Sequence, residues 1–394
     1  MRVCIVRQTY YPRHRNLRRN AEAILSQGFS VDVICLRQKG EKSRETMNGV
    51  NIYRLPLEHR RGSVPRYFFE YSTFFIMTLF TLGWLGFRKR YKVVEVDGMP
   101  DFLAFVTLVP RLLGAKVIVF FFDDTPDLFS STFGVGPNHI VTRLLRLIQR
   151  TSARYADRII VSDGPGHKRS LESNGIPGEK ISIVLNVPDS LVFSACHPSI
   201  HHAPRYFRLI VLSSILPRYG VQTVIKAIPF LVTEIPNLKV DIVGAGEDLA
   251  QIKELARTCR VEENVDFIGW VPQELVPAYV KRADVAIAPM LHDVGLPNKI
   301  FDYFALGKPC VVSALPSLTE AFDESCVLFF KPGDEKDMAR CILKLFREPK
   351  ERSSLGAKGR AFYNRVQWSV MRNEYFKVYR ECLGKLVGDR QCVA

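Results

Sequence analysis

Short apolar runs rich in Val, Ile, Leu and Phe alternate with stretches of helical spacing along most of the chain. In the first half the runs are RVCIV (2–6), VDVICL (31–36), NIYRL (51–55), KVVEV (92–96), KVIVFFF (116–122), RIIVSD (158–163) and ISIVLN (181–186). Such alternation is the pattern of β-α-β units around parallel sheets. Between the first two runs, NLRRNAEAILSQG (16–28) has helical spacing and closes on Gly28, a residue suited to a helix C-terminus.

The alternation pauses over PDSLVFSACHPSIHHAPRY (188–206), rich in Pro, Ser and His, which reads as an interdomain linker. It restarts with RLIVLSSIL (208–216), LKVDIVGAG (238–246), NVDFIGWV (264–271), ADVAIAPM (283–290), PCVVSAL (309–315) and CVLFFKPG (326–333). Helices are expected between them at 220–233, 248–258, 273–282, 298–306 and 317–323, and throughout after 334. The expected fold class is α/β, with two doubly wound Rossmann-like domains facing each other across a cleft. The expected domains are 1–188 and 207–365, with a linker at 189–206 and a terminal helix in 366–394. Ligands of doubly wound sheets bind at the carboxyl ends of the strands, so the chemistry is sought there.

A length of 394 residues agrees with two cores, and 47% apolar with 24% charged residues is a globular composition. The net charge of +15 favours anionic partners such as nucleotides or the inner face of a membrane. Nucleic acid is disfavoured, because the bases lack the interleaved aromatic pattern of a known module. Nine scattered cysteines without a CxxC pair, and an N-terminus (MRVCIVRQTYYP) that reads as strand and turn, suggest reduced thiols in a cytoplasmic protein.

Residues 66–90, RYFFEYSTFFIMTLFTLGWLGFRKR, add a possible membrane contact to that picture. The uninterrupted apolar part, Phe74 to Phe87, is about 14 residues, short of the ~20 that span a bilayer. Two readings lead, a core-facing helix, or a helix that also presents Phe and Trp84 with flanking bases to a membrane surface, and a spanning helix is the least favoured third.

The densest chemistry lies in LHDVGLPNKIFDYFALGKP (291–309). Pro297 or Asn298 can start a helix and Gly307 can end it. The first-turn N–H groups at the open edge of a sheet form an anion site, and Lys299 adds a charge suited to phosphate. Asp302 stands one turn on, about 6 Å along the axis, a spacing that suits a diphosphate and its ribose. The plainer reading makes Asn298 a cap and Asp302 a solvated residue. Gly244 and Gly246 form a strand-to-helix turn that allows close backbone approach, but without the full dinucleotide fingerprint a nicotinamide cofactor is disfavoured. Arg218, in LSSILPRYGVQ, is placed to meet the same diphosphate.

Together LPRYGVQTVIKAI, VDIVGAGEDL, VDFIGWVPQELVPAYVKRADVAIAP, GLPNKIFDYFALGKPCVVS and FKPGDEKDMARCI resemble the nucleotide-sugar domain of retaining glycosyltransferases of family 4, which have the GT-B fold. The first half is similar more loosely, through YYPRHRNLRRNAEAILSQGFSVDVICLR, DGMPDFLAF, FDDTPD and ADRIIVSD. The resemblance implies a nucleotide-sugar donor on the second domain and a glycan or lipid-linked acceptor on the first. The terminal helix, WSVMRNEYFKVY, is implied to return to the first domain. Gly295, Leu296, Pro297, Asn298 and Lys299 correspond to a subgroup motif facing the diphosphate, and Asp302 to the ribose-binding acid.

The family's first acid falls on Val294, with Asp293 one place early. Its loop Arg and Lys fall on Ser214 and Tyr219, and its acceptor-side His-Asp pair on Asp123 and Asp124. Asp123 and Asp124 are therefore the candidates for orienting the acceptor. No cofactor and no metal are expected, since cations and helix N–H groups can meet the charge developing on the diphosphate. The expected setting is peripheral, on an anionic inner membrane face. Two rivals share the fold: a nucleotide-sugar epimerase, and a scaffold with a degraded site.

Overall fold

The computed structural model describes residues 1–58, 64–136, 138–188 and 206–384. The expected linker, apart from Tyr206, lies outside them, as do the bases in EHRRG (58–62). The chain divides into two compact units, Met1–Asn186 with Met371–Ala394, and Val187–Val370.

The first unit is built on an eight-stranded sheet in the order β3-β4-β2-β1-β5-β6-β7-β8. The strands are β1 (Arg2–Tyr10), β2 (Ser30–Leu36), β3 (Arg44–Met47), β4 (Val50–Leu55), β5 (Val93–Asp97), β6 (Lys116–Phe121), β7 (Arg158–Val161) and β8 (Ile181–Ile183). All pairings are parallel except β3 with β4. The central strands are buried on both faces, which accounts for their unbroken apolar runs. β3 is polar (RETM) and has no such run. It forms because Asn48 and Gly49 both take positive φ, the requirement of a tight hairpin turn, which pairs Met47 with Val50.

Segment 66–90 forms most of one helix, Val64–Lys89. Phe74, Leu82 and Leu85 pack into the core, and Glu70, within the helix, is buried and paired with Arg66 at 2.9 Å. The chain's last described helix, Trp368–Leu383, sends two tyrosines to β5. The hydroxyls of Tyr375 and Tyr379 donate to Glu95 Oε2 at 2.7 and 2.9 Å, while Oε1 accepts from Arg7 Nη2 at 2.9 Å. All four side chains are buried, so the acid is satisfied on both oxygens.

The second unit has a six-stranded parallel sheet in the order β11-β10-β9-β12-β13-β14. These are β9 (Phe207–Leu212), β10 (Leu238–Val243), β11 (Val265–Gly269), β12 (Val285–Ala288), β13 (Cys310–Ser313) and β14 (Leu328–Phe330). After β9 the chain builds towards one edge through β10 and β11, then crosses to the other side of β9 with β12. The loops after β9 and β12 therefore diverge and leave a crevice at the carboxyl edge of the sheet, where ligands of such folds bind. In the first unit the equivalent switch lies between β1 and β5.

Candidate active site

In the second unit the loop after β9 and the loop after β12 are locked together before any ligand is considered. The Leu291 N–H donates to the Arg218 carbonyl at 2.9 Å, and Gly220, at φ +72°, lies so close to Pro289 that a Cβ would stand 1.7 Å from its carbonyl oxygen. This contact brings Arg218 and Lys299 to the same aromatic ring. The Arg218 guanidinium carbon is 5.1 Å, and Lys299 Nζ 5.2 Å, from the centre of Tyr219. The Tyr219 ring thus gathers two cations.

Lys299 belongs to the helix Asn298–Ala305. Pro297 is the N-cap residue and makes no side-chain cap, so Asn298 sits inside the first turn rather than capping it. The helix is fixed from below: the buried Tyr303 hydroxyl accepts from Leu212 N at 2.7 Å and donates to Ile287 O at 3.4 Å, tying the helix to the ends of β9 and β12. Gly307, at φ +64°, ends it. Burial lowers the Lys299 ammonium to about 8, against the pull of the nearby Asp302 carboxylate.

Asp293 has a structural task. Its Oδ2 accepts from Ser317 N at 2.8 Å and its Oδ1 from Gly295 N at 3.3 Å, which fixes the turn of Gly295, Leu296 and Pro297 against the helix Pro316–Ala321. Gly244 and Gly246 are likewise explained by packing. A Cβ on Gly244 would lie 1.8 Å from Ser213 O, and one on Gly246 2.0 Å from Ile215 O. Backbone bonds Ser213 N to Val243 O and Ile215 N to Ala245 O, both 3.0 Å, run the two loops side by side. The space a side chain would need is filled by the neighbouring loop.

The first unit has a separate polar cluster at the carboxyl edge of its sheet. Asp123, exposed, and Asp124, half-buried, follow β6; Asp124 is the N-cap residue of the helix Thr125–Phe133 but makes no side-chain cap. Gln149 Nε2 donates to Asp124 Oδ1 at 3.3 Å. His167, in the first turn of the helix Pro165–Ser173, places Nδ1 2.8 Å from Asp163 Oδ1 and Nε2 3.9 Å from Asp124 Oδ2. Burial alone would lower this imidazole, but the carboxylates of Asp163, Asp124 and Asp101 overcome it and push it up to about 9. Burial also pushes the Asp97 carboxyl at the end of β5 up to about 7, with Asp123 and Glu95 adding to the rise against Arg7.

Sequence reasoning passed over His167 and Asp163, and it met Tyr219 only as the position where the resembled family has a lysine. A His four residues after an Asp at a strand-to-helix junction was the available signal for the first pair.

Residues 14–186 match the family model described as "Glycosyl transferase 4-like domain", and residues 197–362 that described as "Glycosyl transferases group 1". The chain belongs to the GT-B glycosyltransferases. Among curated relatives of this glycosyltransferase, a phosphatidyl-myo-inositol mannosyltransferase of Propionibacterium freudenreichii is 26% identical over 46% of the chain and 43% of the relative. The amylovoran biosynthesis glycosyltransferase of Erwinia amylovora is 25% identical over 50% of the chain and 47% of the relative. The matches thus span about half the length of these proteins. Among solved structures, sucrose-phosphate synthase from Thermosynechococcus elongatus superposes with a TM-score of 0.77 at 14% identity, covering 97% of this chain and 98% of the other. Anabaena HepE in complex with UDP-glucose gives 0.74 at 14%, covering 97% and 100%. At such identities these two report the fold.

Proposed function

We propose that this glycosyltransferase moves a sugar, with retention of anomeric configuration, from a nucleoside-diphosphate donor to a glycan or lipid-linked acceptor. The observation that carries the reading is the pairing of Arg218 and Lys299 around Tyr219, at the start of the Asn298–Ala305 helix and at the switch point of a parallel sheet. Two cations and a set of first-turn N–H groups are the donors a diphosphate requires as its bond to the anomeric carbon breaks. In this reading no metal is needed to stabilise the leaving group, and Asp302, beside Lys299, receives the ribose hydroxyls. Gly295, Leu296, Pro297 and Asn298 shape the loop that carries Lys299, as in the subgroup with a Leu-Pro-Asn-Lys motif. Gly244 and Gly246 act on the donor indirectly, by holding the β9 loop in place.

Asp124, held by Gln149 and His167, is the carboxylate that orients the acceptor hydroxyl, with Asp123 beside it. The names of the relatives favour a membrane-borne or extracellular-polysaccharide acceptor: one acts on phosphatidyl-myo-inositol and another in amylovoran biosynthesis. The protein then works at an anionic membrane from the cytoplasmic side. The test is nucleotide release from UDP-, GDP- and ADP-sugars, with and without a crude lipid acceptor. Release that rises with the lipid supports transfer. Interconversion of the sugar without acceptor would indicate an epimerase, and no turnover with any donor would overturn the reading. Unchanged turnover in Asp124→Asn would remove that residue from the mechanism.

A further inference from the structure

The helix Val64–Lys89 is apolar on two opposite sides. One side, with Phe74, Leu82 and Leu85, fills the core of the first unit. The other presents Phe69, Ile76, Phe80, Trp84 and Phe87 to solvent, a stripe at spacings of three, four and seven residues, with Phe80 72% exposed. By length and composition this helix is able to cross a membrane. Its engagement in the core, together with the buried Glu70–Arg66 pair, makes it instead a helix that lies along a surface.

A second helix repeats the arrangement in inverted form. In Ile140–Tyr155 the polar Thr142, Gln149 and Ser152 are buried, whereas Ile140, Leu144 and Leu147 are exposed, the first at 72%. The 3-10 segment Asp101–Thr107 packs between the two helices, with the Phe102 ring 5.6 Å from Phe75 and the Phe105 ring 5.2 Å from Tyr155. Directly after that segment, Leu108 and Leu112 are exposed, the latter at 79%. The three apolar patches thus belong to one helical layer. A layer with this much exposed apolar surface has an occupant.

Charge selects which one. Across 64–89, 108–112 and 140–155 the only acid is Glu70, which is buried. The bases are Arg66 and Arg88–Lys89 on the first helix, Arg111 between, and an arginine every three or four residues from Arg143 to Arg154. Four are met by acids: Arg66 by Glu70 at 2.9 Å and Lys89 by Asp32 at 2.7 Å, and more loosely Arg111 by Asp157 at 3.7 Å and Arg146 by Asp127 at 3.9 Å. Arg44 and Arg88 lie over the Trp84 ring, at 5.3 and 4.3 Å. A second copy of the same face would set arginine against arginine. An anionic bilayer accepts both the apolar stripes and the cations around them.

We infer that these two helices, bridged by Leu108 and Leu112, form a docking platform for the surface of an anionic lipid bilayer, with Phe80, Trp84, Leu144 and Leu147 entering the headgroup region. This gives the membrane part of the proposed function a defined surface, and it holds or fails independently of the donor chemistry.

The full chain is sedimented with phosphatidylcholine vesicles and with vesicles containing phosphatidylglycerol. At low salt, at least tenfold tighter binding to the anionic vesicles is expected, weakening as salt is raised. The pairs Phe80→Ser/Trp84→Ser and Leu144→Ser/Leu147→Ser are each expected to weaken it at least tenfold, with an unchanged thermal melt and unchanged donor turnover in solution. Arg143→Glu/Arg146→Glu is expected to abolish the preference for anionic lipid. Absence of wild-type binding at low salt, or full binding by both serine pairs, overturns the platform. So does a wild-type dimer that the serine pairs dissociate without any vesicle binding, which would assign the face to a second copy.

Discussion

His167 Nδ1 lies 2.8 Å from Asp163 Oδ1, four residues earlier in the chain and, like it, buried. The pair keeps the imidazole charged in a place where burial opposes charge, and it aims the other ring nitrogen at Asp124. Asp124 is thereby held beside a cation, 3.9 Å from its Oδ2.

The pair gives stability a pH dependence of known sign. The folded protein keeps the His167 proton up to about pH 9, whereas the ordinary imidazole value is 6.5. The stabilisation is therefore complete below about pH 6.5 and is lost as pH rises through about 9. Urea unfolding at pH 6 and pH 9.5 is expected to show a loss of roughly 2–3 kcal/mol in the wild type that is absent in His167→Gln. Equal losses in both proteins would refute the assignment.

Lys299 should govern donor affinity. Lys299→Ala is expected to weaken UDP or GDP binding by roughly 10- to 100-fold, the worth of a charge-assisted hydrogen bond to phosphate. Because its ammonium is lowered to about 8, wild-type affinity measured by calorimetry should fall as pH rises through that value. Nucleotide binding as tight as the parent's would exclude the diphosphate role.

Gly220 and Gly244 should resist substitution for a reason that is backbone and not ligand. Both take positive φ, +72° and +142°, and both face a carbonyl oxygen at less than 2 Å from a hypothetical Cβ. Alanine at either position is expected to cost more than about 2 kcal/mol, through strain and through displacement of the adjacent loop. Chemical denaturation measures this directly; a cost below 0.5 kcal/mol would show that the loops yield freely.

Asp293→Ala removes the acceptor for Ser317 N and Gly295 N. A loss of about 1 kcal/mol in stability is expected, typical of a lost helix cap. The donor KM should rise several-fold while kcat changes less, because the turn that carries Lys299 is loosened. An unaltered KM would mean that the turn is held by other contacts.

Glu95 anchors the terminal helix. Glu95→Ala leaves the Arg7 charge buried and removes the acceptor of two tyrosines, and it is expected to cost about 3–5 kcal/mol. Limited proteolysis should then cut within Trp368–Leu383 earlier than in the wild type. Wild-type protection there would show that apolar packing alone docks the helix.

Period and residue type were enough to place the parallel strands, because strands buried on both faces must be apolar throughout. The same holds for the Asn298–Ala305 helix, whose bounding Pro and Gly set its ends locally. The β3–β4 hairpin escaped notice because β3 is polar and its evidence sits in the Asn48-Gly49 turn. Family resemblance marked Lys299 and Asp302, yet their surroundings depend on contacts distant in sequence. Lys299 and Tyr219 are 80 positions apart and meet because parallel β-α-β topology sets the β9 and β12 loops side by side. The same remoteness hid the Asp124–His167 approach, which joins the ends of β6 and β7. The glycines of VDIVGAG carry no mark in sequence of the neighbouring loop, and only the fold sets the carbonyls of Ser213 and Ile215 against them. Exposure behaves in the same way: a Leu in a helix carries no mark of the face it will occupy, so the outward stripe of Leu144 and Leu147 emerges only once Thr142, Gln149 and Ser152 are seen to turn inward.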